Sequence, residues 1–320
     1  MTFRPLRLLS HPHAQTLVGN LLSLARAPRS ETHLVALPDG DRLAMEVSTP
    51  PGWPDDGPTV ALLHGLCGSH RSTYMVRLAA KLVARGVRAV RVNLRGNGSG
   101  AGLARRPYHA GCSDDLRAAL EALRAGWPRS PVALVGFSLG GNIALKLAGE
   151  LGPAGPALIT QVVGVCPAID LEACWRRLLG QPLYERHFVR LLLAEMRRRH
   201  AASGEPAPAL PALISLFDFD DQYTAPRVGH DGALAYYRAA SARSVLGAIA
   251  VPCRVLLAED DPIIDPACFD RAPFPAGAEV LRSPRGGHLG FVGALPSWRY
   301  MDEVVLGWTT SLTPAPPRRT

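Results

Sequence analysis

Short apolar runs alternate with longer stretches of helical periodicity along most of the chain. Thr59–Leu63 (TVALL) is a compact apolar run that predicts a buried strand. Tyr74–Arg85 follows with apolar positions three and four apart, the mark of a helix with one buried face. The pair of patterns recurs as strand Arg88–Asn93 with helix Ser113–Leu123, then as strand Val132–Val135 with helix Leu139–Leu151. Ser113 reads as the opening residue of its helix, with Asp114 and Asp115 facing the positive end of the dipole. Further strands are expected at Ile159–Val165, Arg254–Ala258 and Glu279–Arg282, before a last helix near Trp298–Thr310. Upstream, His33–Leu37 and Arg42–Ser48 read as a strand pair turned at Pro38-Asp39-Gly40. Strands alternating with helices of this length predict an α/β fold, a mostly parallel sheet covered by helices on both faces.

The alternation is interrupted between about 167 and 248. Two arginine-rich amphipathic helices, Leu171–Leu179 and Tyr184–His200, are expected there, then a loop at Ser203–Pro211 and a helical stretch over Phe217–Tyr237. Lying between two core strands, the segment reads as an insertion, a helical lid over the strand ends, within one domain of 320 residues. In Tyr184–His200 the positions Tyr184, Phe188, Leu191, Leu192 and Met196 share one side, with Arg186, Arg190 and Arg197 among the charged positions. That stripe either packs on the core beneath it or roofs a tunnel for an acyl chain. The Pro/Arg-rich end, Thr313–Thr320, is expected to be a flexible tail.

Composition narrows the function classes. With 47% hydrophobic and 19% charged residues and a mean hydropathy of +0.07, the chain is neither disordered nor collagen-like. No apolar run reaches the roughly 18 residues of a membrane span, and the N-terminus lacks the apolar stretch of a signal peptide. A cytoplasmic protein is therefore expected. The six cysteines are scattered without metal-ligand spacing, which suits small buried side chains in a reducing compartment. The net charge of +8 comes almost wholly from arginine, since Lys81 and Lys146 are the only lysines. The arginines form no basic block interleaved with aromatics, so no nucleic-acid partner is expected.

The chemistry centres on Gly136-Phe137-Ser138-Leu139-Gly140. A G-x-S-x-G pentapeptide is weak alone, but this one follows a strand and opens a helix. That is the setting of a nucleophile elbow, where flanking glycines relieve a strained turn that exposes the serine. A serine hydroxyl needs a base, and His288 follows the last expected strand in Gly286-Gly287-His288-Leu289-Gly290. An acid should follow the strand before it, where Glu259-Asp260-Asp261-Pro262 stands. The order Ser138, Asp261, His288 is that of a serine hydrolase charge relay, with Asp260 the alternative acid. Leu62-Leu63-His64-Gly65-Leu66 ends the third strand, so the backbone amides of Leu66 and Leu139 are expected to form the oxyanion hole. His64 is read as shaping that turn. Tyr108-His109 and Phe219-Asp220-Asp221 offer no zinc or hard-cation ligand set and are read as buried polar residues bracing loops, so no metal site is expected.

With these residues on the page, the chain resembles the YheT-like branch of the α/β-hydrolases, to which the eukaryotic ABHD acylglycerol and phospholipid hydrolases belong. The resemblance runs from His13-Ala14-Gln15-Thr16 through His64-Gly65-Leu66, Ser72-Thr73-Tyr74, Asn93-Leu94-Arg95-Gly96 and Tyr108-His109-Ala110-Gly111. It continues through Gly136–Asn142, Phe219-Asp220-Asp221 with Thr224-Ala225-Pro226, Asp260-Asp261-Pro262 and Gly286–Phe291. Carried over residue by residue, the family's charge relay falls on Ser138, Asp261 and His288. Two departures touch loops and bear on substrate choice. Relatives usually read Arg-Gly-Cys-Ser-Gly where Arg95-Gly96-Asn97-Gly98-Ser99-Gly100 stands here, and Cys67 replaces a residue that is commonly acidic. The site reads as that of a cofactor-free serine hydrolase of carboxylic esters, and the resemblance leans the substrate toward short-chain or lipid-like acyl esters; the arginine face of Tyr184–His200 would then meet water or, transiently, an anionic lipid surface. An acyltransferase using the same acyl-enzyme, or a binding protein on the same scaffold, are the alternative readings.

Overall fold

The computed structural model describes residues 3–21, 23–211, 213–294 and 298–310. Its centre is an eight-stranded sheet of β1 (Glu31–Ala36), β2 (Arg42–Ser48), β3 (Thr59–Leu63), β4 (Arg88–Val92), β5 (Val132–Phe137), β6 (Gln161–Val165), β7 (Cys253–Ala258) and β8 (Glu279–Ser283). The spatial order is β1-β2-β4-β3-β5-β6-β7-β8. β2 runs antiparallel to β1 and to β4, while every pairing from β4 to β8 is parallel. All residues of β3, β4, β5 and β6 are buried, as parallel strands covered on both faces must be. This is the α/β architecture that the alternation of periods predicts.

Around the sheet lie α1 (Pro12–Leu21), α2 (Thr73–Val83), α3 (Ser113–Gly126), α4 (Leu139–Leu151), the short α5 (Gly155–Leu158) and a closing helix, Tyr300–Thr310. Between β6 and β7 come α6 (Leu171–Leu179), α7 (Pro182–Ser203), α8 (Leu216–Phe219), α9 (Ala225–Arg227) and α10 (Ala233–Ala240), which makes the closing helix α11. No helix among the described residues is long and apolar enough to cross a membrane. The expected tail, Thr313–Thr320, lies outside the described residues.

Strand order fixes where a ligand can sit. From β3 the chain moves to β4 on one side, then crosses back to place β5 on the other. At such a reversal the loops after two neighbouring strands part, leaving a crevice at their C-terminal ends. The loops in question begin at His64, after β3, and at Ser138, after β5.

One expectation is corrected. Phe217–Tyr237 is not one helix: α8 runs into a π-helical turn at Asp220–Thr224, then α9, and Gly229 and Gly232 open a loop before α10. Pro226 cannot donate in a helix interior, and glycines at positive φ end what is left. α3 opens at Ser113 as expected, with Cys112 before it in the capping position and no side-chain cap. Asp115 in the first turn takes a different partner, Arg95, through a two-pronged contact of 2.6 and 2.7 Å. The same guanidinium reaches Asp39 and Asp41, each at 2.7 Å. Arg95 thereby ties the β1–β2 turn to the start of α3, and these carboxylates and their hydrogen bonds raise its already high pKa against the cost of burial. α1 is an element that the periodicity does not reveal, since three of its ten residues are buried and two of those are polar.

Two predictions follow from charges inside this framework. Arg95→Ala leaves the buried carboxylates of Asp41 and Asp115 without a counter-charge. It should cost about 3–5 kcal/mol of stability, read as a lowered denaturation midpoint. On α7 the buried Glu195 faces Arg199 at 3.5 Å, and burial still pushes its carboxyl from 4.5 up to about 7. The folded state therefore holds this proton more tightly than the unfolded chain. It is penalised progressively as pH rises from about 4.5 through about 7. Glu195→Gln removes the titration, so its melting temperature relative to wild type should climb across that window; a constant difference would contradict the assignment.

Candidate active site

β5 runs straight into the pentapeptide, ending at Phe137, and α4 begins at Leu139. Between them Ser138 sits at φ 53°, a region costly for a side chain with a Cβ. The strain is held by its neighbours. The Ser138 N–H donates to the Val165 carbonyl at 2.9 Å, and the Ser138 carbonyl accepts from Asn142 N and Ala168 N. The turn also brings α4 so close to the end of β3 that a Cβ on Gly140 would lie 2.3 Å from the His64 carbonyl oxygen. Only glycine fits there.

The structure brings Ser138, His288 and Asp261 together. Ser138 Oγ lies 2.9 Å from His288 Nε2, and His288 Nδ1 lies 2.8 Å from Asp261 Oδ2. The other Asp261 oxygen accepts the amides of Ile263 and Ile264 at 2.8 and 3.0 Å. Asp261 and His288 are 1% and 6% exposed, so the relay is shielded from water and its hydrogen bonds work in a low dielectric. Asp260 does not reach the imidazole. Its Oδ1 accepts the Gly287 N–H at 2.8 Å, bracing the histidine loop, and burial raises its carboxyl above the ordinary range.

The loop after β3 passes beside the serine, since a Cβ on Gly65 would stand 3.1 Å from Ser138 Cβ. Leu66 and Leu139 line the same cavity as Ser138. Among the described residues, neither of their amides meets a protein acceptor. His64 is wholly buried, and burial pulls its pKa down to about 4. It accepts from Leu94 N through Nε2 at 3.1 Å, which puts its proton on Nδ1, 2.8 Å from the Gly65 carbonyl. With both nitrogens engaged, His64 shapes the turn.

Several contributors stand outside the chemistry read from the sequence, although Gln15, Thr16 and Asn142 lie in blocks that carry the family resemblance. Gln15, Thr16 and Asn20 of α1 hold the histidine loop: Thr16 Oγ1 accepts His288 N at 2.9 Å, Asn20 donates to the His288 carbonyl, and Gln15 exchanges two bonds with Val292. Arg177 of α6 donates to the Asp261 carbonyl at 2.8 Å. Asn142 of α4 donates to the Ala110 and Ala240 carbonyls and accepts from Ala242, tying the elbow helix to α10. Cys166, just after β6 and at φ 44°, is fully buried, and burial pushes its thiol well above the ordinary value. Its sulfur lies within 4.8 Å of donor atoms of Asp261 and His288. The residues are far apart in sequence and meet only through the fold.

A cavity of about 770 Å³, counted with its open mouth, leads from Ser138. Its walls are mostly apolar, with Leu171, Trp175 and Leu178 of α6, Phe188 and Leu192 of α7, and Ile263 and Ile264 from the acid loop. Of the α7 stripe, Phe188 and Leu192 thus face the cavity, Met196 is buried, and Tyr184 bonds His13 of α1 at 3.0 Å. Tyr108, His109 and Asp220 do not gather into a metal-binding set. Tyr108 accepts Cys67 N at 2.9 Å, Asp220 accepts Tyr237 OH at 2.9 Å, and Asp221 accepts Ala233 N at 2.8 Å.

Comparison with known proteins agrees with this fold. Residues 58–294 match the family described by the alpha/beta hydrolase fold. The chain is 30% identical to the esterase candidate YheT of Escherichia coli (strain K12), over 97% of this chain and 93% of that one. It is 24% identical to phospholipase ABHD3 of Mus musculus, covering 91% of this chain and 74% of the relative. Among solved structures, 2,6-dihydroxy-pseudo-oxynicotine hydrolase superposes with a TM-score of 0.60 at 18% identity, over 93% of this chain and 72% of the other, a likeness of fold alone. The chain belongs to the α/β-hydrolase family, in the branch of the YheT-like esterases and their ABHD relatives.

Proposed function

We propose that the protein hydrolyses carboxylic esters through an acyl-enzyme on Ser138, with Asp261 and His288 completing the relay. The observation that carries the proposal is the unbroken line of contacts, Oγ to Nε2 at 2.9 Å and Nδ1 to Oδ2 at 2.8 Å, opening on an apolar cavity. His288 Nε2 takes the Ser138 proton as Oγ bonds to the acyl carbon. The carbonyl oxygen becomes an oxyanion facing the Leu66 and Leu139 amides, at the N-terminal end of α4. Asp261 keeps the imidazole in the Nδ1–H tautomer and stabilises its charged form. The imidazolium then protonates the departing alcohol. A water enters, gives its proton to the freed Nε2 and attacks the acyl carbon, releasing the acid and restoring Ser138.

The insertion over 167–248 acts in this proposal as a lid. α6 and α7 supply much of the cavity wall, and an apolar wall of this size suits a lipid-like acyl chain. The phospholipase and esterase names of the relatives lean the same way.

Three substitutions test the relay on an ester panel. Ser138→Ala should lower kcat/KM by about 10⁴-fold or more with the fold retained, since it deletes one hydroxyl. Asp261→Asn should cost on the order of 10⁴ in kcat by presenting the wrong tautomer partner. Asp260→Asn should cost far less, because that side chain holds Gly287 N and not the ring. Equal or reversed effects for the two aspartates would contradict the assignment. Free acid should remain the product when ethanol is added; formation of the ethyl ester in its place would mark an acyltransferase.

The lid proposal makes a separate prediction. Phe188→Ala or Leu192→Ala should change the ratio of rates on long and short acyl esters more than it changes the melting temperature. Parallel loss at every chain length, tracking stability, would leave these side chains as ordinary core.

A further inference from the structure

The cavity beside Ser138 is apolar over most of its wall, yet one carboxyl group lines it. Asp220 stands on the π-helical turn that breaks the expected helix, an arrangement that occurs often at functional sites. Its neighbour Asp221 explains itself structurally, since it accepts the first amide of α10. Asp220 has no such duty to the backbone. Its Oδ2 accepts from Tyr237 OH at 2.9 Å, with the Thr224 hydroxyl also beside the carboxyl. No lysine or arginine lines the cavity to balance the charge.

A carboxylate has about four acceptor sites, and two hydroxyl neighbours leave room for another donor. Burial is costly to it, pushing its carboxyl up to about 6, and bracing a loop does not require that cost. A second polar group lines the cavity. His109 lines the cavity and accepts Gly111 N through Nδ1 at 3.1 Å, while burial pulls its pKa down to about 4. It is therefore neutral at physiological pH, with its proton on Nε2. The two residues are linked through packed rings: His109 meets Tyr236 edge-on at 6.2 Å, Tyr236 packs on Tyr237 at 5.5 Å, and Tyr237 bonds Asp220.

Resting on the acyl-ester reading of Ser138, we propose that this cavity selects acyl groups bearing a hydroxyl, with the Asp220 carboxylate as the acceptor. A hydroxyl suits the site better than an ammonium group. It donates to a carboxylate, and it crosses apolar walls at far smaller desolvation cost than a cation.

The test is kcat/KM on p-nitrophenyl esters of equal carbon count, either plain, hydroxylated at successive carbons, or ending in trimethylammonium. Wild type should favour at least one hydroxylated ester over the plain one by about tenfold, the worth of one hydrogen bond to a charged acceptor. Asp220→Leu should invert that preference, speeding the plain ester and slowing the hydroxylated one. Asp220→Asn keeps a partner for Tyr237 and protects the test if the leucine variant fails to fold. It should reduce the preference several-fold, because a charged acceptor becomes a neutral one. Ranking by carbon count alone, a hydroxyl advantage unchanged in the variants, or a preference for trimethylammonium would overturn the proposal. Turnover of no ester in the panel would instead overturn the ester-hydrolase reading, and this inference with it.

Discussion

The arrangement depends on one close approach, that of α4 to the end of β3 across the turn at Ser138. The serine holds a positive φ because β5 is pinned to β6 on one side and α4 is packed on the His64 backbone on the other. A side chain at 140 would push these apart, since its Cβ would meet the His64 carbonyl oxygen at 2.3 Å. The same contact sets the β3 loop beside Ser138 and so brings the Leu66 amide to the cavity. In the proposed mechanism the nucleophile and the oxyanion donors would thus be placed by backbone packing, which is stiffer than any side-chain rotamer and needs little reorganisation during reaction.

The other half of the site is held by hydrogen bonds from several elements. The histidine loop is fastened to α1 through Thr16, Asn20 and Gln15, and to the acid loop through Asp260. α1 can come this close only because position 290 is glycine, where a Cβ would lie 2.4 Å from the Gln15 carbonyl oxygen. The acid loop is fastened in turn to the insertion through Arg177. α6 is thereby joined to the backbone of Asp261 through one guanidinium bond. The insertion, the N-terminal helix and the relay therefore form one connected set, although they are distant in sequence.

Much of this was legible in the residues, for identifiable reasons. The fully buried strands β3 and β5 are short runs dominated by Val, Leu and Ala between polar turns, and α4 starts and ends where its pattern does, at Leu139 and Leu151. A serine after β5, an acid after β7 and a histidine after β8 marked in the sequence the residues that the structure brings together. What escaped depends on contacts that no local pattern encodes. Asp260 and Asp261 are adjacent carboxylates, and only the register of β7 against β8 decides which one faces the imidazole. The residues over Phe217–Tyr237 have helical composition, but a π-helical turn at Asp220–Thr224, Pro226 and two glycines at positive φ break the path, and Asp220 lines the cavity. Asp115 looked like a dipole partner and is an Arg95 partner as well, because Arg95 approaches from a loop some twenty residues earlier.

The central claim is that Ser138, and no other nucleophile in the chain, forms the covalent intermediate. Its most direct measurement is intact-mass and peptide-mapping analysis of the protein after reaction with a fluorophosphonate. The account predicts a single adduct on the peptide containing Ser138, formed rapidly in wild type and at a rate lowered by orders of magnitude when His288 is replaced by alanine. An adduct on another residue, or labelling of Ser138 that is indifferent to His288, would contradict it.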